Sequence, residues 1–412
     1  MRYLFIHQNF PGQFRHVSKA LAANPGNEVV GLGDKKNLRR STFLHPNIRL
    51  VGYESSSEAT AQTHHYILDF EGHIRRGQAV AKSLHALRDA DSYYPDVIVV
   101  HPGWGEGLFI KDIYPNSRVI AYAEFYYQGH GADVGFDPEF PSIQDDNFRV
   151  RIKNSTQLQS LIQADLAIAP TQWQKSRYPI ELQVKIYVAH EGIDTELVKP
   201  DPSAWVEINH HKFRPGDEII TYVARNLEPY RGFHTLIRAL PKLQALRPNA
   251  KIIIVGGDDV SYGRRPQNGF TYRQQYCEEI QKQADWTKVF FVGKLSYENY
   301  LRVLQVSAVH VYLTYPFVLS WSMLEAMSAG CVLVASDTAP VREVITDGKN
   351  GYLTDFFSPE RLADKVATIL AIPDAQKELR VQARNDVRFR FDLNKICLPN
   401  WINIISAPNT DE

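Results

Sequence analysis

Between His310 and Gly330 the chain reads HVYLTYPFVLSWSMLEAMSAG, and few folds accommodate that order of signals. Its first residues alternate and are rich in β-formers, which predicts a strand. Tyr315-Pro316 then turns the chain, and good helix formers run from Ser320 to a C-cap at Gly330. A strand ending in a loop that feeds a helix is where an α/β sheet binds an anion. The loop and first-turn N–H groups lack partners there, point outward and lie at the positive end of the helix dipole. Val318, Leu319 and Ser320 are therefore candidate backbone donors. Glu325 falls in the first two helical turns, placed either to meet a sugar hydroxyl or to close a capping box with Ser322.

The same alternation fills the chain. Strands are expected at Arg2–His7, Glu28–Gly33, Ile48–Tyr53, Asp96–Val100, Arg118–Ala123, Leu166–Pro170 and Lys185–Ala189, with helices near Gln13–Ala23, Gly77–Ala90 and Asn147–Ile162. A polar, proline-containing run, Lys199–Pro215, reads as a linker. A second alternation begins at Glu218, with strands at Ile219–Ala224, Lys251–Val255, Val289–Gly293 and Val332–Ala335 and a helix at Phe233–Leu246. A chain of 412 residues exceeds what one core usually fills, so two α/β domains are expected.

Lys+Arg and Asp+Glu are both 46, which argues against nucleic acid as a bulk electrostatic partner. Cys277, Cys331 and Cys397 show no metal-ligand spacing, and Cys331 reads as a buried thiol. The opening MRYLFIHQNF has no apolar signal core, and no long apolar run occurs. A cytoplasmic protein is expected, with peripheral membrane contact left open. The basic run Asp34–Arg40 reads as a solvated face or as a contact for an anionic lipid or charged acceptor. Asp89 and Asp91 form a D-x-D pair, but at a helix end rather than a strand end, so no metal site is assigned.

Several residues are expected to carry chemistry. Gly12, after the first strand, would let backbone approach a phosphate or sugar, or serve as a plain βα turn. No G-x-G-x-x-G occurs, so no dinucleotide cofactor is indicated. His101, Trp104 and Glu106, interleaved with glycines 103, 105 and 107, follow a buried strand. The next strand leads into Glu124, Tyr126, Tyr127 and His130, with Asp133 and Asp137 beyond. Rings that cover pyranose faces beside acids that accept from hydroxyls make a candidate sugar or acceptor pocket. Glu124 is expected to bond the donor sugar or the acceptor nucleophile, or else to be a structural carboxylate tied to the glycine-rich loop. Arg225 and Arg231 bracket a strand end and a helix start, where guanidinium forks suit a diphosphate; the bland alternative is two surface arginines paired with Glu228 and another acid. The insert Ser261–Gly269 reads as a mobile loop. Tyr297, Tyr300, Leu301 and Leu304 lie at helical spacing and read as core.

Leu324-Glu325-Ala326-Met327-Ser328-Ala329-Gly330, with Ser336-Asp337 and Glu343-Val344-Ile345, resembles the nucleotide-sugar-binding segment of the retaining glycosyltransferases of family four, glycosyl transferases group one. The resemblance implies the GT-B fold: an α/β protein of two Rossmann-like domains facing a central cleft. It implies an N-terminal acceptor domain over 1–196, rejoined by a crossover helix near 390–406, and a nucleotide-sugar domain over 197–389. His190-Glu191-Gly192-Ile193-Asp194 resembles the N-G-V-D motif at the junction of those domains. It further implies metal-independent transfer from a nucleotide-diphosphate sugar to a glycan, lipid-linked or small-molecule hydroxyl, with that sugar as co-substrate and no other cofactor. Arg225 and Arg231 would hold the diphosphate, Glu325 the ribose and Gly12 the phosphates, while the backbone at Lys294 would read the base. The sequence departs from the family at Glu124, where relatives have histidine, and at Phe317, where they have a second glutamate. An epimerase on the same fold and a non-catalytic partner subunit are the alternatives.

Overall fold

A strand covered on both faces has no polar side to show, and the runs LFI, VIVV and LAIA of the first half are apolar throughout. In the computed structural model, which describes residues 1–38, 44–55, 62–267 and 269–407, they are inner strands of a parallel sheet. The chain divides into unit 1, Met1–Gly192 with Asn394–Glu412, and unit 2, Ile193–Leu393.

Unit 1 holds β1 (Arg2–Ile6), β2 (Glu28–Asp34), β3 (Ile48–Tyr53), β4 (Val97–Val100), β5 (Arg118–Tyr122), β6 (Leu166–Ala169) and β7 (Ile186–Val188), ordered β3-β2-β1-β4-β5-β6-β7 and all parallel. Alternate residues serve opposite faces. Leu4 and Ile6 join Val80 and Leu84 of the Leu68–Asp89 helix, while Tyr3 and Phe5 join Phe14, Val17 and, from the last helix, Trp401 and Ile405.

Unit 2 opens with a small hairpin, β8 (Val206–Ile208) and β9 (His211–Phe213). Its sheet follows: β10 (Ile219–Asn226), β11 (Lys251–Gly257), β12 (Val289–Gly293), β13 (Val309–Tyr312), β14 (Val332–Ser336) and β15 (Tyr352–Thr354), ordered β12-β11-β10-β13-β14-β15 and parallel. Where the chain passes between units, Trp401 donates to the His190 carbonyl at 3.1 Å in unit 1, and Ile193 bridges Asp392 in unit 2.

Three local expectations fail. The expected linker contains the β8–β9 hairpin, turned by Asn209 and His210 at φ 49° and 64° and packed through Phe213. Polar residues at a tight turn looked like linker because both carry positive φ, which Asn and His tolerate comparatively well. The helix expected from Gly77 begins at Leu68, where acidic Asp69 and Glu71 suit its positive end. The helix expected over Asn147–Ile162 is two, Gln144–Lys153 and Ser155–Gln163. Asn154, at the break, turns its side chain to accept from the Tyr127 N–H at 3.1 Å and donate to its carbonyl at 2.7 Å.

Candidate functional site

In each sheet the strand order reverses beside the first strand of the alternation, between β1 and β4 in unit 1 and between β10 and β13 in unit 2. Loops leaving strands on either side of such a point diverge and leave a crevice beyond the carboxyl ends.

At the unit 1 crevice, His7 follows β1 and His101 follows β4. Both rings are locked alike: the Asn9 N–H donates to His7 Nδ1 at 2.8 Å and the Gly103 N–H to His101 Nδ1 at 3.2 Å. Each neutral imidazole must therefore carry its proton on Nε2. His7 Nε2 donates to Gln13 Oε1 at 2.8 Å, which turns the Gln13 amide nitrogen onto Glu124 Oε1 at 2.6 Å. His101 Nε2 lies 3.3 Å from Glu124 Oε2, so each carboxylate oxygen has one donor. Gln174 fixes the backbone beneath by donating to the Glu124 carbonyl. Burial raises the Glu124 carboxyl, but the hydrogen bonds from His101 and Gln13, with the attraction of the His101 and His7 rings, outweigh that and hold it below the ordinary carboxylate range. Its side chain is 27 % exposed, so this anion keeps an open face. His7 is buried, and desolvation, with His101 beside it, lowers it to about 3. Trp104 stacks on His101 with ring centroids 4.4 Å apart.

Gly12 packs against the His7 ring. Its φ is +47°, and a Cβ would stand 2.6 Å from His7 Nε2. The absent side chain makes room for the imidazole.

Not all of the expected pocket assembles. Tyr126 turns against Tyr178, with ring centroids 5.3 Å apart, and Tyr127 lies under Lys153 Nζ at 4.3 Å. His130 is exposed. Glu106 is buried, accepts from the Tyr53 hydroxyl at 3.0 Å, and has its carboxyl raised by burial; it belongs to the core, not the crevice. Asp133 and Asp137 are buried in loop turns. Asp89 and Asp91 are paired with Arg88 and Arg49 at the surface, and Lys35 with Glu54; Arg39 and Arg40 of the basic run lie outside the described residues, as do residues 408–412 of the tail. Cys331 is buried, and its thiol is pushed up to about 12 by desolvation.

The residues missed were His7, Gln13 and Gln174. A signal existed for the first: an apolar strand is followed at once by histidine at FIH, as it is at IVVH.

At the unit 2 crevice, Arg225 stands exposed near the end of β10, with neither hydrogen bond nor ion pair among the described residues. Glu228 is not its partner. That carboxylate is fully buried and accepts the backbone N–H groups of Ser261, Tyr262 and Gly263 at 3.0, 3.1 and 3.1 Å. The stretch expected to be mobile is thus tied down over Ser261–Gly263, while Asn268 lies outside the described residues. Arg231 is buried and crosses the switch point: its Nη1 donates to Thr314 Oγ1 at 2.7 Å and to the Val318 carbonyl at 3.2 Å. The Val318 and Leu319 N–H groups make no hydrogen bond among the described residues. Ser320 differs, since its N–H donates to the Tyr312 hydroxyl at 2.9 Å; its side chain is the N-cap of the Trp321–Ser328 helix. Lys294, exposed after β12, lies along Gly257, where an added Cβ would meet its Cε at 2.5 Å.

Glu325 does not close a capping box with Ser322. Its Oε1 accepts from the Tyr297 hydroxyl at 2.7 Å and its Oε2 from the Tyr300 hydroxyl at 2.6 Å. Those tyrosines, expected in the core, turn their hydroxyls to this acid, and Tyr297 is 40 % exposed. Among the described residues no group of three His, Cys, Asp or Glu is placed to hold a metal, and no helix is long and apolar enough to cross a membrane.

Residues 25–198 match the model of the glycosyl transferase family 4 group, and residues 204–386 that of glycosyl transferases group 1. Spore coat protein SA of Bacillus subtilis is 24 % identical over 228 residues, 54 % of this chain and 58 % of its own length. A GDP-mannose-dependent alpha-(1-6)-phosphatidylinositol monomannoside mannosyltransferase of Mycolicibacterium smegmatis is 25 % identical over 233 residues, 54 % of this chain and 57 % of its own length. The aligned part thus spans a little over half of these curated relatives. Among solved structures, sucrose-phosphate synthase from Thermosynechococcus elongatus superposes with a TM-score of 0.74 at 19 % identity, covering 97 % of both chains. Anabaena HepE in complex with UDP-glucose superposes with a TM-score of 0.67 at 18 % identity, covering 99 % of this chain and 100 % of its own. These likenesses give the fold as GT-B, two parallel-sheet α/β domains. The two family models between them take in every strand but β1, and the chain belongs to the family 4, group 1 glycosyl transferases.

Proposed function

We propose that the protein is a retaining glycosyltransferase that moves a sugar from a nucleotide-diphosphate sugar to an acceptor hydroxyl without a metal. The observation that carries this reading is the carboxyl edge of the unit 2 sheet. There the partnerless Arg225, the buried Arg231, the unspent N–H groups of Val318 and Leu319, and Glu325 on its two tyrosines are set out by neighbouring strands. An exposed guanidinium and free amides suit a diphosphate. A carboxylate steadied by hydroxyls suits a ribose, and Lys294 marks the backbone that would face the base.

As the glycosidic bond breaks, the departing diphosphate gains negative charge, and fixed donors oppose it without reorganising. In a retaining, same-face process that phosphate would take the acceptor's proton. Glu124 is then not the base. Its carboxylate, kept anionic by two donors, accepts from a sugar hydroxyl, and Trp104 offers a ring beside it. Carbohydrate and lipid-linked acceptors are the candidate class, the mannosyltransferase relative being named for a phosphatidylinositol monomannoside.

The test is a donor panel screened by thermal shift, since a ligand that binds only the fold raises its melting temperature. It is followed by incubation with acceptor extract and determination of the product's anomeric configuration. A stabilising nucleotide sugar and a product of unchanged anomeric configuration are expected. Inversion would remove the retaining mechanism, free nucleotide without transferred sugar would remove transfer, and no binding by any donor would leave a partner subunit.

A further inference from the structure

Beside Arg231 stands a wall of aromatic rings that the diphosphate reading does not use. Tyr262 covers the guanidinium, its centroid 5.3 Å from the central carbon, and is itself 40 % exposed. Phe317 meets Tyr262 with centroids 5.0 Å apart and Tyr230 at 5.6 Å, and Tyr230 stacks toward Tyr315 at 4.6 Å. The wall is held in place. Glu228 takes three successive N–H groups from Ser261–Gly263, Asn226 Nδ2 donates to Ser261 Oγ at 2.7 Å, and the Tyr272 hydroxyl donates to the Arg264 carbonyl at 2.6 Å. Glu228 spends its charge on this backbone and is fully buried, so it offers nothing to a ligand.

A sugar joined to a phosphate at Arg225 and Arg231 would therefore meet ring faces rather than carboxylates. We infer that the Tyr262 ring, backed by Phe317 and flanked by Tyr230, seats the donor's hexose, and that this hexose presents a deoxy edge, a methyl or methylene in place of a hydroxyl. Ring faces cover the C–H side of a pyranose, whereas a hydroxyl pressed on them would lose its hydrogen bond. The inference rests on the diphosphate-sugar reading and narrows it to one class of donor.

The test uses the full chain and matched pairs of donors: GDP-, UDP- and dTDP-activated hexoses and their 6-deoxy counterparts, titrated by calorimetry. A preference for the deoxy member of about 10- to 100-fold is expected, the range over which an apolar pocket discriminates one hydroxyl. Tyr262→Ala, at an exposed position that leaves the core intact, should reduce that ratio toward unity. Phe317→Glu, if it folds, should reverse it. Equal affinity for both members of every pair overturns the deoxy seat while leaving a nucleotide-sugar enzyme standing. A deoxy preference that survives Tyr262→Ala unchanged overturns the placement at this wall. Binding of neither member in any pair overturns the seat and the proposed function together.

Discussion

At the β1–β4 crevice of unit 1 the loops present a carboxylate steadied by an imidazole and an amide, whereas at the β10–β13 crevice of unit 2 they present the bonded guanidinium of Arg231 beside the Arg225 guanidinium and backbone N–H groups that bond nothing among the described residues. The sheets beneath share one topology, so the difference comes from what each strand end carries into its loop. Histidine follows β1 and β4; in unit 2, arginine lies near the end of β10 and the 3₁₀ turn after it closes on another. A carboxylate with an open face suits groups that donate hydrogen bonds, whereas guanidinium and amide donors suit an anion.

The contrast is sharpest in acid. Burial lowers His7 to about 3, His73 to about 4 and His190 to about 4 in unit 1, and His310 to about 3 in unit 2. A histidine kept neutral by the fold costs nothing above its ordinary value of 6.5. Below it the unfolded chain takes up the proton first, and stability falls until the folded value is reached. Each group loses about 1.4 kcal/mol per pH unit in that window, so near pH 5.5 the loss is on the order of 4 kcal/mol for the three in unit 1 and about 1.4 kcal/mol for His310. Hydrogen exchange at pH 7.5 and 5.5 should show β1, β4 and β5 losing protection before β10 and β13. Equal losses in both sheets would break the comparison.

Removing charge from either crevice should separate binding from folding. Arg225→Ala is expected to cost about 10²–10³ in kcat, as loss of a fixed donor to a developing anion does, with an unchanged melting temperature because nothing in the fold leans on it. Arg231→Ala should lose both, since Thr314 and Val318 would lose their donor. An Arg225 variant at wild-type turnover would remove the anion from unit 2. In unit 1, Glu124→Gln should cost about 10² in kcat/KM, by analogy with loss of one fixed polar partner. The wild-type rate should hold as pH falls through the ordinary carboxylate range, because the depressed carboxyl stays ionised there. A rate that fell with an apparent pKa above the ordinary value would contradict the His101 and Gln13 bonds.

Gly12→Ala probes unit 1 less severely. It strains a φ of +47° and drives a methyl into the His7 ring, so a loss of about 1–3 kcal/mol in stability is expected, with Glu124 loosened through Gln13. Gly12→Ala as stable as wild type would mean that the ring has room to move.

The sheets were legible because inner parallel strands are uninterrupted apolar runs, and β4, β6 and β11 announced themselves that way. Glu124, His101 and Arg225 were legible for a related reason: they follow or end such runs, where loops must open outward. Gln13 was not, because its role depends on a tautomer fixed by the Asn9 N–H on a different strand's loop from the acid it serves. The Ser320 amide looked free because nothing in the order of residues shows that the Tyr312 hydroxyl reaches it. Tyr300 looked like core for the opposite reason, its ring being apolar and its hydroxyl the only part that matters to Glu325.

That last pair gives the smallest test. Glu325 has one tyrosine hydroxyl on each oxygen, but the two donors differ in their surroundings: Tyr297 is 40 % exposed, whereas Tyr300 is half-buried. Water can take the place of the first hydroxyl once it is removed. At the second it enters less readily, and losing a buried hydrogen bond costs about 1–3 kcal/mol. Tyr297→Phe should therefore change donor affinity less than about twofold, and Tyr300→Phe by about five- to tenfold, at the low end of that cost. Equal effects in a calorimetric titration would mean that burial does not set how firmly this acid is held. Glu325 would then be held without regard to which hydroxyl is buried, unlike Glu124 in unit 1, where each oxygen is placed by a bond.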